Sequence, residues 1–227
     1  MTLHIDTELY KLKNSLQEMW TIVDKQLSKS ERAFMQYDKS LAREILSREK
    51  MVNALELKID SECENFIARN SPVAVDLRLA LAYIKINNNL ERIGDFAEGI
   101  GVFVLKNMTE PLPEDFKARL RIEEMFDEVR KMFQLAKESL SEEDSAKAEK
   151  VFGIDNLVDE INYESNKVIV EQMINNPEKA NEYLFLHSVI RKLERIGDRC
   201  NNIAEEIVFY LDAKILKHND EEKHKYE

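Results

Sequence analysis

Leu90 to Asp95 reads Leu-Glu-Arg-Ile-Gly-Asp, and the same six residues stand again, letter for letter, at Leu193 to Asp198. A repeat of this kind implies two copies of one structural unit. Working outward from each copy, the two halves of the chain read alike. Leu9, Leu12, Leu16, Met19, Trp20, Val23 and Leu27 recur at intervals of three and four, which predicts an amphipathic helix over about residues 3 to 37. Leu41, Ile45, Val52, Leu55, Ile59, Cys63 and Phe66 predict a second, ended by Asn70, Ser71 and Pro72. The third opens near Pro72 and carries the first LERIGD to about Asn107.

Thr109 to Pro113 reads TEPLP, and its two prolines cannot lie inside a helix. A linker is expected there. Beyond it, Phe116 to Leu140 predicts a fourth helix and Val151 to Ile169 a fifth, stopped by Asn175, Asn176 and Pro177. A sixth carries the second LERIGD to about Leu216. The expected class is all-α: two tandem three-helix bundles of long helices, residues 1–108 and 114–217, joined by 109–113 and followed by a charged, frayed tail at 218–227.

Composition narrows the function. Five glycines and four prolines in 227 residues are too few for an all-β chain of short strands, and a hydrophobic share of 44% is too high for a disordered one. The formal net charge of −11 repels nucleic acid and anionic lipid, and suits cations or a basic protein surface. Cys63 and Cys200 lie in different halves and outside any CxxC pattern, so zinc and disulfide frameworks lack support. With no signal-peptide pattern and no long uncharged apolar run, a cytoplasmic protein is expected.

The candidate chemistry lies in the acidic residues. On a helical wheel Glu91 and Asp95 project within about 40° of each other with Glu98 beside them. Ile93, Ala97, Ile100 and Val104 cluster on the opposite side, so the acidic stripe is expected to face away from the core. In the second copy Glu194, Asp198, Asn201 and Glu205 line one side and Ile196, Cys200, Ile203 and Ile207 the other. The middle helices carry a second pair at the same spacing, Asp155 with Asp159 and Glu49 with Asn53. Carboxylates from two helices suit hard or borderline cations, and binding relieves their mutual repulsion. A solvated acidic face is the plainer reading of any one pair. Gly94 and Gly197, each costing roughly 1 kcal/mol inside a helix, fit either close helix packing or room for bound ions. No Glu-x-x-His pair occurs on any of the predicted helices, and His187, two turns before Glu194, is expected to be structural. No Walker A, HExxH, GxSxG or Cys/His dyad is present, so catalysis has no evident nucleophile or base.

The two LERIGD copies, SPVAVDLR at Ser71 to Arg78, and RIGDRCNNIAEEIVFYL at Arg195 to Leu211 together resemble the PhoU family, over nearly the whole chain. The resemblance implies surface clusters of iron or zinc, with magnesium or manganese as alternatives. Carried onto this chain, it implies ligands at Glu49, Glu91, Asp95, Asp155, Asp159, Glu194, Asp198 and Asn202; Glu98 joins them from its place on the wheel. Gly99 stands where Asn202 would be in the first repeat, and Asn53 at an often acidic position, so the first site is expected to bind less tightly. The resemblance further implies a non-enzymatic negative regulator of phosphate uptake and phosphate-starvation signalling. It would link the phosphate transporter ATPase to a sensor histidine kinase, meet the membrane only through those partners, and form a homodimer. A metal-dependent phosphatase and a purely structural helical protein are the competing readings.

Overall fold

The computed structural model describes residues 2–214 and 216; the expected tail at 218–227 lies outside the described residues. Among the described residues there are seven α-helices and no strand. The first repeat contributes α1 (Thr2–Met35), α2 (Lys39–Asn70) and α3 (Ala74–Lys106). The second contributes α4 (Glu114–Arg119), α5 (Ile122–Glu142), α6 (Ser145–Asn175) and α7 (Ala180–Asp212), with a short 3-10 turn at Pro177–Lys179.

The helix ends follow local chemistry. Asp38 caps α2 by accepting from the backbone N–H of Ser40 at 2.8 Å and of Leu41 at 3.0 Å. Asp144 caps α6 in the same way, from Lys147 at 3.0 Å. Ser71 closes α2 and Ala213 closes α7 in the left-handed region, at φ 45° and 54°. The second LERIGD helix therefore ends at Asp212, short of Leu216.

The fourth predicted helix is two helices. Leu120 and Ile122 are both fully buried, yet residues two apart on one continuous helix project to nearly opposite sides. The chain resolves the conflict by breaking at Arg121, which takes φ 52°. Its guanidinium then reaches Glu124 at 2.7 Å and, on α6, Glu160 at 2.7 Å and Glu164 at 2.8 Å. These ion pairs pin the break against the neighbouring helix.

Within each repeat the LERIGD helix runs antiparallel to the middle helix. The two LERIGD helices are also antiparallel to each other, as four contacts between them and a fifth from Thr109, just past α3, show in reversed order. Arg78 meets Tyr210, Lys85 meets Glu206, Asn89 meets Asn202, Gly99 meets Lys192 and Thr109 meets Glu182. The core is continuous across the repeats. Phe34 of α1 stacks on Phe103 of α3 and leans on Phe126 of α5, at ring-centre distances of 5.9 and 5.8 Å. Trp20 meets Phe133 edge-on at 4.8 Å. Cys63 and Cys200 are free, and burial raises both thiols, Cys63 to about 12, which makes them poor nucleophiles. No helix among the described residues is long and apolar enough to cross a membrane.

Candidate functional site

The second acidic cluster forms where α6 crosses α7. Asp155 and Asp159 come from α6, Glu194, Asp198 and Asn201 from α7. Gly197 explains how they meet: a Cβ built there would stand 3.3 Å from Asp155 Oδ1 and 3.6 Å from the Met132 thioether of α5. The missing methyl lets the Asp155 carboxylate lie on the α7 backbone. Burial pushes Asp155 up to about 7, and the charges of Asp159, Asp198 and Glu194 push the same way; a hydrogen bond from Asn201 opposes them. Glu194 is raised by burial and then by Asp198, against the pull of Arg191, whose Nη1 donates to Glu194 Oε1 at 3.1 Å. The buried Glu194 Oε2 and Asn201 Oδ1 accept no hydrogen bond.

The first cluster lies between α2 and α3. Here Asn53 Nδ2 donates to Glu49 Oε1, and Arg92 spans the α3 pair, with Nη1 3.1 Å from Asp95 Oδ2 and Nε 3.5 Å from Glu91 Oε2. Burial, followed by Asp95, raises Glu91 to about 7, while Arg92 pulls it down. Glu98 is raised by burial and by Glu49 and Asp95. Gly94 does not admit an acidic side chain. A Cβ there would stand 3.0 Å from Gln26 Oε1 of α1 and 3.4 Å from Val52.

Three features differ from the expectation drawn from sequence. The acidic stripes do not simply face outward: the Glu91 and Glu194 side chains keep only 13% and 14% of their exposure, because the middle helix leans over each. Asn202 is turned away from the cluster, its Nδ2 3.5 Å from Asn89 Oδ1 in the α3–α7 seam, and Asn201 stands in its place beside Asp155. Gly99 belongs to the same seam, since a Cβ there would run into the side chain of Lys192. Glu56 of α2 was not among the predicted residues, yet it joins the first cluster, raised by burial and by Asp60 and Asp95. His187 is half-buried, and burial lowers its pKa.

Among the described residues no three His, Cys, Asp or Glu side chains already converge at ligand spacing around one point. The donor set nevertheless suits a hard or borderline cation. It is rich in oxygen and crowded with like charge, and both glutamates, Glu91 and Glu194, carry a buried oxygen that accepts no hydrogen bond. Glu49, Glu91, Asp95 and Glu98 would hold a cation in the first cluster, and Asp155, Asp159, Glu194, Asp198 and Asn201 in the second.

Comparison with known proteins matches this geometry to a family. The PhoU domain model matches twice, over residues 16–104 and 122–207, each match ending on a LERIGD helix. The chain belongs to the PhoU family. It is 28% identical over 214 residues to the phosphate-specific transport system accessory protein PhoU homolog 1 of Thermotoga maritima, spanning 94% of this chain and 91% of that one. It is 28% identical over 213 residues to the accessory protein PhoU of Escherichia coli, covering 94% and 87%. The crystal structure of PhoU from Pseudomonas aeruginosa superposes with a TM-score of 0.87 at 29% identity, over 92% of this chain and 99% of that one. The two-bundle, all-α architecture is thus the fold of a PhoU protein, and the relatives are named as accessory proteins of phosphate transport, not as enzymes.

Proposed function

We propose that this PhoU protein is a metal-binding adaptor that damps phosphate uptake and phosphate-starvation signalling, by contacting the phosphate transporter ATPase and a sensor histidine kinase. The observation that carries the proposal is the double family match. Both LERIGD helices, with their acidic residues, fall inside segments shared with proteins named for phosphate-specific transport, and a structural relative from Streptococcus pneumoniae is titled a phosphate transport system regulatory protein. The long helices offer extended faces for partner domains, and the net charge of −11 favours basic ones.

A bound iron, zinc, manganese or magnesium ion would supply positive charge to the two clusters. The chain's own residues set the consequence. With that charge present, the repulsion that adds to burial in raising Asp155 and Glu194 would be relieved, and α6 would be drawn against α7 through Asp155 on one side and Asp198 on the other. Such a shift can bias which face is presented to a partner.

Deletion of the gene tests the regulatory role: phosphatase expression under phosphate-replete conditions should rise. Affinity capture with the tagged full chain should retain the transporter ATPase or the kinase. Unchanged expression together with capture of neither would contradict the proposal.

A further inference from the structure

A cleft of about 290 Å³ opens between α1, α3 and α5, away from both acidic clusters and across the junction of the two repeats. Its apolar wall is made by Leu16, Trp20 and Tyr83, all nearly buried. Its rim differs in character, with Lys13 and Gln17 on α1 and Gln134 and Lys137 on α5. Trp20 is 3% exposed, and its indole Nε1–H has no hydrogen-bond partner.

Two lysines and one glutamate line the cleft. The glutamate is Glu138, and its carboxylate is engaged by Lys147 of α6 at 3.6 Å. Lys137 is held only loosely, with Nζ 3.9 Å from Asp24 Oδ2, and Gln134 Nε2 donates to the other oxygen of Asp24 at 3.0 Å. Lys13 makes no ion pair among the described residues. In a chain of net charge −11, a concave apolar wall rimmed by two lysines is a local exception.

We infer that this cleft binds a small organic monoanion with a flat apolar body, the ring against Trp20 and Leu16 and the anionic group between Lys13 and Lys137. A volume near the lower bound for ligand pockets, roughly 300 Å³, limits the guest to one or two rings. An apolar wall with a few convergent polar groups is the usual form of such sites. The occupant would touch both repeats at once, so binding should stabilise their junction.

Trp20 is the single tryptophan of the chain, so its emission reports the cleft directly. The test titrates the full chain with anilinonaphthalene sulfonate, an aromatic sulfonate, and with the uncharged N-phenylnaphthylamine of similar shape. Expected are saturable binding of one sulfonate per chain, quenching of Trp20 with sensitised probe emission, and about tenfold weaker binding of the uncharged probe. Lys13→Met with Lys137→Met should erase the preference for the sulfonate while leaving the melting profile intact. Ser141→Phe, an exposed substitution at the mouth, should block both probes. Several sulfonates per chain, Trp20 emission unchanged by bound probe, or a sulfonate preference that survives loss of both lysines would overturn the inference.

Discussion

The two acidic clusters descend from one sequence pattern and are built differently. In the second, the glycine of LERIGD admits a carboxylate: Asp155 lies on Gly197, with Asp159 and Asp198 adding to its burden of like charge. In the first, the equivalent Gly94 admits Gln26 of α1, a buried amide whose Oε1 and Nε2 both lack hydrogen-bond partners. There Arg92 already spans Glu91 and Asp95, and Val52 faces the glycine where the second repeat has Asp155. The same glycine makes room for a carboxylate in one repeat and for a packed amide in the other. The second cluster sets a carboxylate directly against the glycine of its LERIGD helix, which makes it the stronger candidate for a cation.

The largest effect expected from this difference is on pH dependence. Asp155 is raised from the ordinary 3.8 to about 7, so the folded chain holds a proton there that the unfolded chain has released. Its contribution is fully present below about pH 4 and is lost as pH rises through about 7, a swing of up to about 4 kcal/mol. Metal-free protein should therefore melt at falling temperature from pH 4 to 7, and Asp155→Asn should flatten that slope. Glu91 is raised in the same direction, so Glu91→Gln should flatten it as well, but less, because Arg92 already offsets part of the charge. An equal or larger effect of Glu91→Gln would break the comparison.

A smaller effect should follow from Gly197→Ala. The new methyl would stand 3.3 Å from Asp155 Oδ1, so the carboxylate must withdraw from α7. Cation affinity at the second cluster should drop about tenfold, at the scale typical for disturbed ligand orientation. Gly94→Ala should instead act on stability through Gln26 and leave cation binding nearly unchanged. Calorimetric titration of both variants separates the outcomes. The smallest change is a gain: Arg92→Gln frees Glu91 and Asp95 from their clamp and should strengthen first-cluster binding by a few-fold, consistent with the modest worth of exposed ion pairs. A loss of affinity would mean that Arg92 holds the ligands in place.

Much of this was legible in the sequence. The repeated LERIGD, the proline-bearing breaks and the three-and-four spacing of apolar residues correctly place the long helices. The break at Arg121 was missed, although Leu120 and Ile122, two apart and both apolar, carry its signal. At the site, the helical wheel set Asn201 on the acidic face, whereas family resemblance pointed to Asn202; in the structure Asn201 lies beside Asp155 and Asn202 beside Asn89 of α3. Glu56 follows Glu49 by seven, and that same-face spacing could have found it. Gln26 could not have been found. Its meeting with Gly94 depends on how α1 packs across α3, which no local pattern in either helix encodes.

The central claim, that the α6–α7 cluster is the stronger cation site, is tested most directly by titrating metal-free protein with iron(II), zinc or manganese and counting bound ions by affinity class. The account predicts that Asp155→Asn with Asp198→Asn removes the tightest class, lowering its affinity by about 100-fold or more, while Glu91→Gln with Asp95→Asn leaves that class in place. A tightest class that survives the first pair of substitutions and disappears with the second would contradict it.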